Sequence, residues 1–451
     1  MRNEPSQEIT TERYGVLLKV MIIGFISLIL LIPTAMIRSL VKERQETKEE
    51  AINEIGQKWG NEQTLTGPFL TIPFTKMVEV YQPRDSTTVL VAKSHQLNVL
   101  PNNLAISSEI FPEQRYRGIF EVVVYNSNLL FEGDFTEIKP IDFGITESEL
   151  ELDKAYLSIG VSDLRGIDNQ ISLNWGDSAY VFNPGTVNSN LISSGINVPV
   201  SLELTDNNTI LIPEFNFNID LKGSENIQFV PVGKETNVQM SSAWSSPSFG
   251  GAFLPDSREV TESGFSANWN ILHLNRNFPQ SWIDGKHKVG ESAFGLDLLL
   301  PVDNYKKTER SIKYAIMFIG LTFLVFFFIE ITNSKRVHPI QYILVGLALI
   351  LFYTLLLSIS EHSSFTSAYL VATALTIGLI TAYTKTVLKS NALTGLMLGI
   401  LSILYLFIFV IIQLENYALL MGSLGLFSIL AIVMFFSRKI DWYKINNTVK
   451  L

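Results

Sequence analysis

No cysteine occurs among the 451 residues, which excludes disulfides, haem-thiolate ligation and thiol nucleophiles. The nucleotide-binding patterns G-x-x-x-x-G-K-[ST] and G-x-G-x-x-G are also missing, as are the zinc-protease motif H-E-x-x-H and the serine-hydrolase elbow G-x-S-x-G. Histidine is scarce: His95, His273, His287, His338 and His362 are scattered without metal-ligand spacing, so no metal and no cofactor is expected. Charge is sparse as well, at 17% of residues against 47% hydrophobic, and it is unevenly spread.

Stretches without any charge run from 20 to 37, 339 to 360, 363 to 384, 390 to 414 and 416 to 437, each long enough to cross about 30 Å of hydrocarbon. A sixth, 314 to 329, is short by itself, but Lys313 can snorkel at one end and 331 to 334 extend it past Glu330 at the other. The first run exceeds a secretory h-region and no small-x-small site precedes Arg38, so it reads as an anchor rather than a cleaved leader.

The remaining charge fixes an orientation. From Lys313 onward the acids are Glu330, Glu361, Glu415 and Asp441 against nine bases; residues 38 to 312 hold 36 acids against 22 bases, or −14. Nucleic acid is therefore not an expected partner of that stretch, and the bilayer itself is the first partner of the chain. Lys335, Arg336, His338, Lys385, Lys389, Arg438, Lys439 and Lys444 all fall on one side of the predicted spans. The positive-inside rule makes that side cytoplasmic, places both termini there and puts 38 to 311 outside. The expected divisions are 1–37, a cytoplasmic N-terminus with the first span; 38–311, a stalk and β-rich domain; 312–437, five further spans; and 438–451, a cytoplasmic tail.

Residues 38 to 58 lack Gly and Pro and are rich in Glu, Lys, Gln and Ala, which predicts that the first helix runs on as a stalk until Gly60. Beyond Gly67 the text changes to short β-branched and aromatic runs, such as 69 to 74, 87 to 92, 118 to 125 and 227 to 232, punctuated by Asn, Asp, Gly and Pro. Antiparallel sheets in a sandwich are expected, as one domain or two. The fold class is a six-span helical bundle plus a large extracytoplasmic β-rich domain.

Three places invite a functional reading. Glu330 closes the second span, and Lys335, Arg336 and His338 follow in a tight turn; either a proton relay or an interfacial ion pair pinning the hairpin would use them. Glu361 and His362 form the opposite turn, where Arg310 and Lys313 should lie at similar depth and form a salt-bridged seam. From Pro247 to Trp269, the density of Gly, Pro and Ser predicts a loop of fixed shape that carries Phe249, Phe253, Leu254, Arg258 and Phe265. Such a loop packs either on its own sheet or on a partner, the latter being another envelope protein or component. Gly395 with Gly399, and Gly422 with Gly425, predict close helix packing in the last two spans.

Longer runs carry a resemblance. Leu31-Ile32-Pro33, the segments 247 to 269 and 308 to 330, His338-Pro339-Ile340-Gln341-Tyr342, 360 to 363 and Ile440-Asp441-Trp442-Tyr443 make the whole chain resemble the CreD family of bacterial inner-membrane proteins. That resemblance implies a periplasmic location for the β-rich domain and a role in cell envelope integrity or stress response; it implies no catalytic residues. The leading expectation is a non-enzymatic envelope protein. A transporter or lipid-handling protein is the alternative, since five closely spaced spans exceed what anchoring needs. A membrane hydrolase would have only Ser423 or His362 to use.

Topology is directly testable because the chain is free of cysteine. Cysteine substituted at Ser86 should react with an impermeant maleimide in intact spheroplasts, and at Ser334 it should not. Labelling at Ser334 alone would invert the orientation.

Overall fold

The computed structural model describes residues 15–82, 87–186, 192–285, 287–300, 304–333, 337–414 and 417–438. Contacts divide the chain into two units, one formed by Met1–Lys48 with Val302–Leu451 and the other by Glu49–Pro301.

The first unit is helical. Its elements are α1 (Gly15–Ile29), the start of α2 (Leu31–Trp59), α3 (Asn304–Lys313), α4 (Ala315–Thr332), α5 (Pro339–Ser360), α6 (Phe365–Leu388), α7 (Asn391–Gln413) and α8 (Ala418–Ser437). Six helices are long and apolar enough to cross a membrane, the first made by α1 and α2 together. Those two are separated only at Leu30. Pro33 has no N–H to give to the carbonyl of Ile29, so the ladder loses a rung there, and the Thr34 hydroxyl donates to the Leu30 carbonyl at 2.8 Å.

Aromatic rings fill the bundle between α4, α5, α6 and α7. Phe318 lies 4.5 Å from Tyr405, and Phe352 meets Tyr405 and Tyr369 edge-on at 4.9 and 5.3 Å. The Tyr369 hydroxyl donates to the Tyr405 carbonyl at 2.8 Å, so even this polar tip is engaged inside. By contrast, α8 exposes Leu419, Phe427, Leu430 and Met434. The expected glycine packing holds only at Gly425, where an added Cβ would come within 2.0 Å of the Phe407 ring. At Gly395, Gly399 and Gly422 an added Cβ meets nothing within 4 Å, so close packing within the chain does not explain them.

The second unit is β-rich, as its alternating sequence predicts. Its first strands are β1 (Gln63–Gln82), β2 (Thr87–Val99), β3 (Asn103–Arg117) and β4 (Phe120–Asp134); β1 with β2, and β3 with β4, form long antiparallel hairpins. Together with later, shorter strands they make one nine-stranded and one eight-stranded sheet. Two pairings depart from the antiparallel expectation. Strand 226–230 runs parallel to β1, and strand 235–242 runs parallel to β3. Both arise where the chain changes sheets. Strand 215–224 pairs with β4, Glu225 takes a left-handed φ of 58°, and the continuation 226–230 pairs in the other sheet.

A single apolar cluster draws side chains from both sheets, which makes the β-rich region one unit. Phe131 and Phe217 stack at 4.8 Å within it, each such burial being worth about 1.5–3 kcal/mol. Arg276 is buried beside Phe278, and its guanidinium donates to the carbonyls of Phe278 and Val232 at 2.6 and 3.0 Å. Burial lowers its pKa to about 10.

The end of α2 is fastened to this unit. Gly60, at φ 151°, stops the helix where a Cβ would lie 2.6 Å from the Lys222 carbonyl. The Trp59 indole donates to the Tyr125 carbonyl at 3.2 Å beneath the Arg115 guanidinium. Arg165 donates to Gln57 O at 2.7 Å and to Asp163 Oδ2 at 2.8 Å, which places a cation at the negative end of the helix dipole. Hydrogen bonds from Arg165 and from the Asn61 N–H hold the Asp163 carboxyl below the usual carboxylate range, outweighing the effect of burial. Because the folded pKa is depressed, this contribution to stability is complete above about pH 4 and is lost as pH falls through the folded value. Asp163→Asn should therefore lower the melting temperature of the β-rich unit at pH 7 and flatten its loss as the pH falls below about 4, read by tryptophan fluorescence. Identical acid slopes in the two proteins would contradict the assignment.

Candidate functional site

The best-built polar site lies where α1, α4 and the start of α5 meet. Glu330 sits in the last turn of α4 and is 6% exposed. Its Oε1 accepts from the Lys19 ammonium and from the Val337 N–H at 2.9 Å, and its Oε2 accepts from the Tyr342 hydroxyl at 3.2 Å. The Lys19 ammonium also donates to the Val337 carbonyl at 3.3 Å. One carboxylate thus joins three segments that are more than 300 residues apart at their extremes.

The expected turn bases Lys335 and Arg336 lie outside the described residues; among the described residues the cation on Glu330 is Lys19, near the start of the first span. Scanning for uncharged runs cuts the span at Val20 and so discards the residue that matters. Its signal was a lysine one position outside the uncharged run that begins at Val20, within α1.

His338 has a different task from its neighbours. It caps α5: its Nδ1 accepts from the Ile340 N–H at 3.3 Å, while Gln341 accepts from the His338 N–H at 3.0 Å. Pro339 at the first helical position needs no partner, so His338-Pro339-Ile340-Gln341 is a complete helix start. The run is a structural signature, and Tyr342 at its end supplies the third ligand of Glu330.

A second polar cluster occupies the other end of the helical unit. Glu361 caps α5, accepts from the Tyr305 hydroxyl at 3.2 Å and pairs with Arg44 of α2 at 3.6 Å. The Asn304 amide donates to the Ser360 carbonyl at 2.8 Å. The expected pairing partner Lys313 instead faces Glu309, as does Arg38. His362 is exposed in the turn, and Ser423 Oγ donates to the Leu420 carbonyl of its own helix at 2.9 Å. Among the described residues neither is held as a nucleophile with a base beside it.

The segment from Pro247 to Trp269 is not a loop. It contains strands Pro247–Gly251, Ser257–Thr261 and most of Gly264–Leu272. Phe265 is buried, and Phe249 packs edge-on against Phe265 and Trp269 at 5.7 and 5.8 Å. Phe253 packs on Phe294 at 6.0 Å, and Arg258 lies over the Phe249 ring. The three rings thus belong to the domain's own core, and Leu254 alone of the four apolar side chains is open to solvent.

Between α4, α7 and α8 lies an apolar groove of about 830 Å³. Its walls include Leu321, Phe328, Ile400, Phe407, Leu424 and Ile432. Among the described residues, no group of three or more His, Asp and Glu side chains is arranged to hold a metal.

Comparison with known proteins gives two matches of wide extent. The sequence model of the family described as inner membrane protein CreD matches residues 15–443. The Inner membrane protein CreD of Escherichia coli (strain K12) is 33% identical over 418 residues, covering 92% of this chain and 91% of that protein.

Weights decide between the ion pairs. Exposed pairs such as Arg38 with Glu309 contribute about 0–1 kcal/mol, whereas leaving one partner of a buried pair alone costs about 3–5 kcal/mol. Lys19→Met and Glu330→Gln should each lower the melting temperature of the purified protein, and the double variant should lose less than their sum, a coupling of about 1–3 kcal/mol. Strict additivity would remove the pairing.

Proposed function

Because this chain belongs to the CreD family of inner membrane proteins, we propose that it is a non-enzymatic multi-pass protein supporting cell envelope integrity or the envelope stress response. In this reading both termini are cytoplasmic and the β-rich unit works in the periplasm, as the basic loops favour. The observation that carries it is where the bundle uses its charge. Glu330 and Glu361, at opposite ends of α5, are each ligated by groups that fasten helices together, and the interior between them is ring against ring. A coupled transporter needs ionisable or unwound elements near the middle of its spans. A fastened, aromatic-filled bundle suits an anchor whose large exported domain makes the functional contacts.

One observation favours lipid handling as a second reading. The groove between α4, α7 and α8 is walled on α4 from Leu321 to Thr332, about 17 Å of helix, comparable to one leaflet of about 15 Å.

Filling that groove separates the two. Ile400→Trp with Leu424→Trp, expressed in cells lacking the native protein, should protect against detergent within about twofold of the unaltered chain, a difference worth under 1 kcal/mol. Loss of protection with normal accumulation would favour lipid handling.

A further inference from the structure

Half of the β1–β2 hairpin extends beyond the sheet to which it belongs. The strand at 156–161 pairs with β1 only from Leu65 to Thr71, and the strand at 281–283 pairs with β2 only from Leu97 to Val99. From Lys76 to Gln82 and from Thr87 to Lys93 the two strands pair only with each other among the described residues. The paired ribbon is about 20 Å long.

Its composition is wrong for a free ribbon in water. Met77, Val80, Tyr81, Val89, Leu90 and Val91 are all 40% exposed or more. Register assigns the two faces. Beyond the Lys76–Lys93 pair one face carries Val78 opposite Val91 and Val80 opposite Val89, while Met77 opposite Ala92, Glu79 opposite Leu90 and Tyr81 opposite Thr88 lie on the other. A two-stranded hairpin is marginal alone, and edges this apolar are normally covered or charged. Lipid is a poor cover, because unpaired N–H and C=O groups along both edges would be stranded in hydrocarbon. An added strand pairs the polar groups of one edge and sets its own side chains beside the valines of that face.

Charge selects the edge and the partner's chemistry. Lys76 and Lys93 stand directly opposite each other at the base of the valine face. Lys76 is engaged, its ammonium donating to the Gly144 carbonyl at 2.6 Å. Lys93 is exposed and makes no ion pair among the described residues. We propose that the outer edge of β2, from Thr88 to Lys93, accepts an extended strand of a partner protein by β-addition, with apolar side chains against Val89 and Val91 and a carboxylate against Lys93. The proposal rests on the β-rich unit being the part of the chain that meets envelope partners, and it names where and how.

The probe is a fluorescein-labelled octapeptide of alternating valine and threonine with one glutamate continuing the valine face, and its twin with lysine in place of glutamate. Fluorescence anisotropy with the full-length protein in phosphatidylglycerol nanodiscs should show saturable binding of the glutamate probe, at least about tenfold tighter than the lysine probe. Lys93→Glu should reverse that preference, and Val89→Ser with Val91→Ser should weaken both by about tenfold while the tryptophan-monitored melt stays unchanged. Equal affinity for the two probes, or reversal failing in Lys93→Glu, would overturn the proposal. So would a polarity-sensitive dye at Tyr81→Cys that is already shielded before peptide is added, since lipid or a second copy would then be the cover. Failure here with envelope protection intact would leave the broader reading standing.

Discussion

The helical unit depends on how a carboxylate is accommodated in a helix that is otherwise apolar. Glu330 cannot be left without partners in that setting, and three groups meet it: the Lys19 ammonium, the Val337 N–H and the Tyr342 hydroxyl. Because they come from α1, the α4–α5 turn and α5, satisfying one side chain fixes the first span against two helices far along the chain. The rest of that seam is apolar. Ile26 and Leu30 are buried, and Gly346 of α5 leaves room for Leu30 where a Cβ would lie 2.2 Å from the leucine methyl. Polar specificity at one end and close packing above it are complementary, since packing alone provides little register between greasy helices.

Much of the architecture was legible in the sequence because it follows from periodicity and charge count. The spans, the helical extension to Gly60 and the β-rich text after Gly67 each rest on many residues, so no single exception disturbs them. What was not legible depends on single residues meeting across long sequence distances. Lys19 looked like the edge of a span, and nothing local connects it to Glu330. Nearness in sequence points only to the turn after α4, and it is silent about a cation on a helix from the opposite end of the chain.

The segment 247–269 teaches a different lesson. Its glycines, prolines and serines suggested a shaped loop, yet Phe265, Ala267 and Trp269 alternate with polar residues and are all buried. Period-two burial was present in the text beneath the turn residues. The two parallel pairings were hidden for a related reason: they follow from the chain changing sheets at Glu225, and no strand pattern announces which sheet a strand will join. The β1–β2 hairpin, conversely, reads as an ordinary sheet pair, and only the structure reveals that its outer half stands without neighbouring strands.

With Lys19 on Glu330 and Leu30 against Gly346, the first span is an integral member of the bundle. The most direct measurement is disulfide formation in membranes between cysteines placed at Leu30 and Gly346. A Cβ at Gly346 would lie 2.2 Å from a Leu30 methyl, so the two positions face each other directly across the helices. Rapid oxidation is predicted in the otherwise unaltered chain, slowing markedly when Lys19→Met is added. No crosslink in a stable, normally accumulated protein would contradict the account.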